Sequence, residues 1–319
     1  MSYLTLTGKL IRIRILRLRK NRLAQRVMQI LTLTGILLVP ILMIALFLRS
    51  LPILQSKPLV ELLFSSSWNP AKGEFGFLPF ILGTLWVTVI AMFIAIPPSL
   101  LTAIYLAEYA PGRVRSVAKP FIDLLAGIPS VVYGVWGILV IVPFVGDYVV
   151  PFIDRLFGYV PLFQANNPTG YGLLAGGLVL AVMVFPFIIT VSEEVIGAVP
   201  NSLRESSLAL GATRWETIKR VVLQRAWPGV IAAVVLGFTR ALGETMAVLM
   251  VVGNVAQVPK SIFDAAYPLT ALIANNYGEM MSIPLYDSAL MTAALLLLII
   301  VLVFNLLSRL ILIRLVQMD

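Results

Sequence analysis

The sequence predicts an all-α integral membrane protein with six transmembrane helices. Three observations carry this expectation. Hydrophobic residues make up 60% of the chain and charged ones only 12%, against roughly 45–50% and about 25% in an ordinary soluble domain. The apolar residues fall in long blocks without strand-like alternation, several of them about 20 residues long, the length a helix needs to cross a bilayer. The lysines and arginines gather in alternate connecting segments, as in a chain threaded repeatedly through a membrane.

The six expected spans cover about 27–48, 79–106, 120–145, 172–191, 228–252 and 287–307. Eight basic residues precede the first: Lys9, Arg12, Arg14, Arg17, Arg19, Lys20, Arg22 and Arg26. Its apolar run is too long for a cleaved signal peptide, and no small-residue cleavage site follows. The segment 107–119 adds Arg113, Arg115 and Lys119, and 192–227 adds Arg204, Arg214, Lys219, Arg220 and Arg225. With Arg309 and Arg314 in the tail, 18 basic residues lie on one side. The alternate loops hold five: Arg49, Lys57, Lys72, Arg155 and Lys260. This split predicts a multi-pass protein of the cell (inner) membrane with both termini in the cytoplasm. The basic amino-terminal tail is read as a topology signal rather than a lipid-binding arm, although contact with anionic membrane lipid is worth about 1 kcal/mol per residue near the surface. Nucleic-acid binding is not expected, since no aromatic interleaving or known module accompanies the charge. The outer segment 253–286 contains AAYPLTALIANNYGEMMSIP, too short for a seventh span and suited to an interfacial or re-entrant segment.

No cysteine and no histidine are present, which removes disulfides, thiolate nucleophiles, imidazole bases and the usual zinc and haem ligands. No G-x4-G-K-[ST] phosphate loop occurs either, so the chain is not expected to hydrolyse ATP.

Residues 200–224 read PNSLRESSLALGATRWETIKRVVLQ. Ser202 with Glu205 has the S-x-x-E form of a capping box and predicts a helix starting at Ser202. Gly211 suits a helix end, because glycine accepts the left-handed conformation there. Thr213 with Glu216 repeats the capping pattern. The expectation is a helix, a glycine corner and a second helix that a partner can grip.

These residues resemble the EAA motif of ABC importer permeases, EAA-x3-G-x9-I-x-L-P. Glu205, Ser206 and Ser207 stand for the first three positions, and Gly211 follows after three residues. Val221 and Leu223 stand for the isoleucine and leucine, while Gln224 replaces the proline. Further stretches, LPFILGTL at 78–85, AIYLAEYAP at 103–111, IPSVVYGVWG at 128–137 and RALGETMAVLMVVGN at 240–254, are similar to the PstC-type permease family of phosphate ABC importers. The resemblance implies a type I ABC importer permease fold, with residues 76–312 as a five-helix core and 192–227 as its coupling loop. Residues 1–75 then supply the basic tail, the first helix and an outer loop. The chain itself would bind no cofactor. ATP and Mg would belong to two PstB-type ATPase subunits, beside a PstA-type permease and a PstS-type phosphate-binding protein. Glu205, Ser206, Ser207 and Gly211 would couple the chain to the ATPases.

Arg240 and Glu244 stand in an otherwise apolar stretch, where a charge costs roughly 2.5–3.5 kcal/mol on insertion scales. Four residues apart on a continuous helix, they would share a face. One reading is a salt bridge turned into the bundle with no substrate. The other is a substrate pathway, because a guanidinium fork matches an oxyanion and a nearby carboxylate keeps the site from trapping it. The resemblance implies the second. Asp123 is expected at the cytoplasmic end of the third span, with Ser130 and Tyr133 bonding between helices. The rival substrates are other oxyanions: phosphonate, sulfate or molybdate. A membrane enzyme acting on lipid phosphates would need a nucleophile, base or metal set, and the residues provide none beyond the adjacent Glu193 and Glu194. A passive channel would have no need of the loop around Glu205.

Overall fold

The computed structural model describes residues 3–164, 167–279 and 282–317. The side chains at 3–19, 311–312 and 314–317 lie outside that description, and with them Lys9, Arg12, Arg14, Arg17, Arg19 and Arg314 as side chains. Among the described residues, six helical stretches are long and apolar enough to cross a membrane: Lys20–Ser56, Leu78–Tyr109, Ser130–Phe157, Leu173–Gly197, Arg214–Leu242 and Tyr286–Leu310.

The chain opens with α1 (Tyr3–Ser56), 54 residues long and so about 80 Å. That exceeds the hydrocarbon thickness by about 50 Å. Then come α2 (Leu59–Phe64) and a hairpin of β1 (Trp68–Asn69) and β2 (Glu74–Phe75), antiparallel with Trp68 opposite Phe75 and Asn69 opposite Glu74. The second span is α3 (Leu78–Ile104), extended by a wider π turn over Tyr105–Tyr109.

The third span begins ten residues later than its apolar run suggests. Residues 112–127 form a separate helix, α4 (Gly112–Gly127), which buries no residue and exposes Val117, Phe121 and Leu124. Ile128 precedes Pro129 and is forced into extended backbone, ψ 130°, which ends α4. Asp123 therefore lies on α4, outside the span, and is exposed. The span proper is α5 (Ser130–Trp136), α6 (Val142–Phe144) and α7 (Val150–Phe157), joined by π turns.

The central helix is α8 (Leu173–Gly197), followed by α9 (Asn201–Ala209) and α10 (Arg214–Thr217). The fifth span runs from α10 through a π turn at Ile218–Val222 into α11 (Leu223–Leu242). It stops at Leu242 instead of continuing to 252. The chain breaks over Gly243, Glu244 and Thr245 and restarts as α12 (Met246–Val251). Gly253 and Asn254 take positive φ, and Gly253 forms a parallel bridge to Ala266. The short α13 (Leu269–Asn276) follows, buried at Leu269, Thr270, Ala271 and Leu272. A short helix of this kind fits the expected re-entrant segment. The last span is α14 (Tyr286–Gln317), against which α1 packs.

Small residues allow close approach in the centre. Gly177 of α8 faces Ile90 of α3 so tightly that an added Cβ would stand 2.4 Å from it. Gly237 of α11 meets Ile188 and Val184 of α8 in the same way. Thr84 and Thr88 bond the carbonyls four residues back, at 2.8 and 2.7 Å, so their hydroxyls are satisfied within α3. At one end of the bundle Trp68 packs edge-on against Phe75 and Phe80 over buried Phe77, Leu269 and Tyr286. The opposite, basic end has its own apolar cluster of Ala103, Ile196, Val199, Val222, Ala226 and Val230.

Candidate functional site

The two intramembrane charges are held apart rather than paired. Arg240 falls in the last turn of α11, where the helix dipole favours a cation. Its guanidinium lies over the ring of Phe187, 3.7 Å from the centroid. Phe187 is the fifteenth of the 25 residues of α8, so the charge stands near the middle of the bundle. Glu244 sits beyond the helix break. Its Oε1 accepts the Ala247 backbone N–H at 3.2 Å and so serves the start of α12, and its carbonyl accepts the Thr270 hydroxyl at 2.9 Å. Among the described residues no ion pair joins Arg240 to Glu244, and no acceptor hydrogen-bonds the guanidinium. The expected shared helix face is thus corrected: the backbone breaks at Gly243–Thr245, so the two residues do not lie on one continuous helix.

Irregular backbone at membrane depth is tolerated where it is buried in protein or lines a cavity. Here the break is bonded to α13 through Thr270, and Leu269 N–H donates to Thr84 Oγ1 of α3 at 2.9 Å. Arg240 itself is exposed on the surface of the chain. Tyr133 lies within electrostatic range of it and donates from its hydroxyl to Leu125 O of α4 at 2.8 Å. That bond ties α5 to α4, and an open hollow of about 770 Å³ lies at their junction, lined by Pro120, Asp123, Leu124, Gly127, Ile128 and Pro129.

The second group lies at the basic end. Helix α9 starts at Asn201 with Pro200 before it, and Ser202 makes no side-chain cap bond. The first expected capping box is not formed. The helix begins one residue earlier than expected, so Ser202 lies inside its first turn and does not stand at the N-cap. The second box is complete: Thr213 Oγ1 accepts Glu216 N–H at 3.3 Å, and Glu216 Oε2 accepts Thr213 N–H at 2.9 Å. Gly211 takes φ +85° with open space where a Cβ would be. Glu205 and Ser206 are exposed, while Ser207 Oγ shares a hydrogen bond with Thr217 Oγ1 at 2.9 Å and locks α9 to α10. Leu208, Leu210 and Trp215 point outward, Leu210 at 89% exposure. A row of large apolar groups on a polar, capped corner is the composition of a contact surface.

Two ion-pair clusters at this end were not legible as sites. Glu193, buried near the end of α8, accepts from Arg115, and from Lys119 at 3.2 Å, both on α4. Glu193 holds the Lys119 ammonium above its usual value of 10.5 through the hydrogen bond between them. Glu108, in the turn after α3, binds Arg204 of α9 through Nε at 3.1 Å and Nη2 at 2.6 Å. The only sequence signal was a carboxylate within an apolar run opposite basic loops. Partners 74 to 96 residues distant are set by the packing.

The family model described as the binding-protein-dependent transport system inner membrane component matches residues 99–317. The phosphate transport system permease protein PstC of Xylella fastidiosa (strain Temecula1) is 43% identical over 260 residues, 80% of this chain and 79% of that protein. The probable ABC transporter permease protein YqgH of Bacillus subtilis is 41% identical over 252 residues, 78% and 76% of the two chains. A probable phosphate transport system permease protein PstC of Methanocaldococcus jannaschii is 34% identical over 288 residues, 88% and 91%. Among solved structures, an inward-facing form of the MetNI methionine ABC transporter aligns with TM-score 0.52 at 22% identity, over 73% of this chain and 93% of that one. The fold is that of a type I ABC importer permease.

Proposed function

The chain belongs to the family of binding-protein-dependent transport system inner membrane components, and on that premise we propose that it forms half of the membrane pathway of an ATP-driven phosphate importer. Support for phosphate comes from relatives at about 40% identity that are named phosphate permeases. The observation that carries the mechanism is the Arg240 guanidinium, set over the ring of Phe187 with no acceptor among the described residues on its N–H groups. A carboxylate partner would neutralise the group. An aromatic face holds it and leaves the charge and its donors available to an oxyanion. A single cation at this depth binds an anion without trapping it, as transit requires.

In this reading a second, homologous permease faces the Arg240 side of the chain and completes the pathway. Two ATPase subunits engage α9, Gly211 and α10 from the cytoplasm, with Glu205 and Ser206 in the contact and Ser207 bracing it from within. A soluble binding protein delivers phosphate to the opposite end. The chain acts as a transport subunit, and ATP and Mg belong to the ATPases. Their closure moves the α9–α10 corner and shifts the pathway between inward-open and outward-open states.

The test is uptake of labelled phosphate into vesicles holding the complete transporter, with sulfate and molybdate as competitors. Arg240→Gln is expected to assemble normally and abolish uptake, with Arg240→Lys retaining part of it. Glu244 keeps its Ala247 partner in both variants, so neither leaves an orphaned carboxylate. Near-normal uptake by a well-assembled Arg240→Gln transporter would overturn the pathway role.

A further inference from the structure

The α9–α10 corner hangs from the bundle by two connections, Ala198–Pro200 on one side and the π turn at Ile218–Val222 on the other. Glycine stands at its apex with an unobstructed left-handed conformation. A push on such an element bends it locally unless something stiff passes the load on. Among the described residues a stiff connection of that kind centres on Glu108. Arg204 of α9 grips the Glu108 carboxylate by Nε at 3.1 and 3.3 Å and by Nη2 at 2.6 Å. The same guanidinium donates to Ile196 O in the last turn of α8 at 2.9 Å, and to Val199 O in the connection just beyond it. Its side chain is 16% exposed and that of Glu108 only 7%. One planar group thus joins α9, the end of α8 and the turn after α3. From the other arm of the corner, Arg214 donates to Glu108 O and lies over the Tyr109 ring at 4.8 Å.

We propose that the Glu108–Arg204 pair, seconded by Arg214, is the positioning strut that carries motion of the α9–α10 corner into α3 and α8. The proposal rests on the reading that ATPase subunits engage this corner. Helix α3 packs along α8 more extensively than any other pair of helices, and α8 carries Phe187, the seat of Arg240. A fork of charge-assisted bonds to both a carboxylate and two carbonyls fixes direction as well as distance. Lysine, a point charge on a flexible stem, keeps the attraction and loses the geometry. Strut and simple glue therefore differ in what lysine can rescue.

The complete transporter is reconstituted in vesicles, and phosphate uptake and ATP hydrolysis are read from the same preparation. Glu108→Gln is expected to leave co-purification of the ATPases intact and to lower phosphate imported per ATP about tenfold, within the usual range for coupling between two sites. Arg204→Lys is expected to fall in the same direction despite retaining its charge. An unchanged ratio in both variants overturns the proposal. So does a loss of uptake and hydrolysis in equal proportion, which is what failed assembly produces. Failure of the underlying functional reading looks different, because the unaltered transporter would then import no phosphate.

Discussion

Phe187 touches Arg240 by its face alone, so the value of the contact can be measured by removing the ring. A cation–π contact of an exposed arginine such as this one is worth about 0.5–1 kcal/mol, which converts to roughly a 2- to 5-fold change in an equilibrium constant. Phe187→Leu is expected to weaken phosphate uptake by up to that factor, read as a raised half-saturating concentration with assembly unchanged. Phe187→Trp, which retains the face, is expected to preserve most uptake. Equal behaviour of the two variants would remove Phe187 from the site. Arg240 was legible as a residue because a lone guanidinium in an apolar stretch is costly and so needs a purpose. Its partner was not legible. A phenylalanine in FPFII has nothing to distinguish it from its neighbours, and only the packing of α11 on α8 brings it under the charge.

At the scale of elements, the corner between α9 and α10 separates expectation from structure. Thr213→Ala removes a formed capping box and is expected to cost about 0.5–2 kcal/mol locally, seen as faster amide exchange over Arg214–Thr217. Ser202→Ala removes a hydroxyl that makes no cap bond and is expected to change exchange in α9 little. The reverse order of effects would restore the first capping box. Gly211→Val puts a β-branched residue at φ +85° at a cost of about 1–2 kcal/mol. No neighbour stands within 4 Å of an added Cβ, so the penalty at that atom is conformational rather than steric. Co-purifying ATPase is expected to fall with Val and to hold with Asn, which tolerates this backbone. The third and fifth spans show the limit of hydropathy at the same scale. It marks apolar residues and is blind to where a helix breaks. Pro129 stopped α4 by a local rule that sequence carries. The break at Gly243–Thr245 is stabilised by Thr270 and α13, and no local rule announces those.

For the whole molecule, the charge split predicts orientation, and the absence of native cysteine makes it directly testable. Cysteines placed singly at Ser66 or Thr169, both exposed, are expected to react in intact cells with an impermeant reagent. A cysteine at Ser116, also exposed, is expected to react only after permeabilisation. The opposite pattern would invert the topology. The number of spans and the alternation of basic segments follow from the sequence alone, because the bilayer imposes a fixed length and a fixed charge rule on each segment separately. The glycine corner is equally local, with its φ set by residues within a few positions. Everything that joins distant segments was decided only by the tertiary structure. That Arg240 rests on an aromatic ring instead of Glu244, that Glu193 clamps α4 through Arg115 and Lys119, and that Arg204 ties the corner to Glu108 all depend on helices brought together by packing. A charge in a membrane advertises its need for a partner, but the partner is chosen by proximity in space, and a linear pattern of residues carries proximity only within a helical turn.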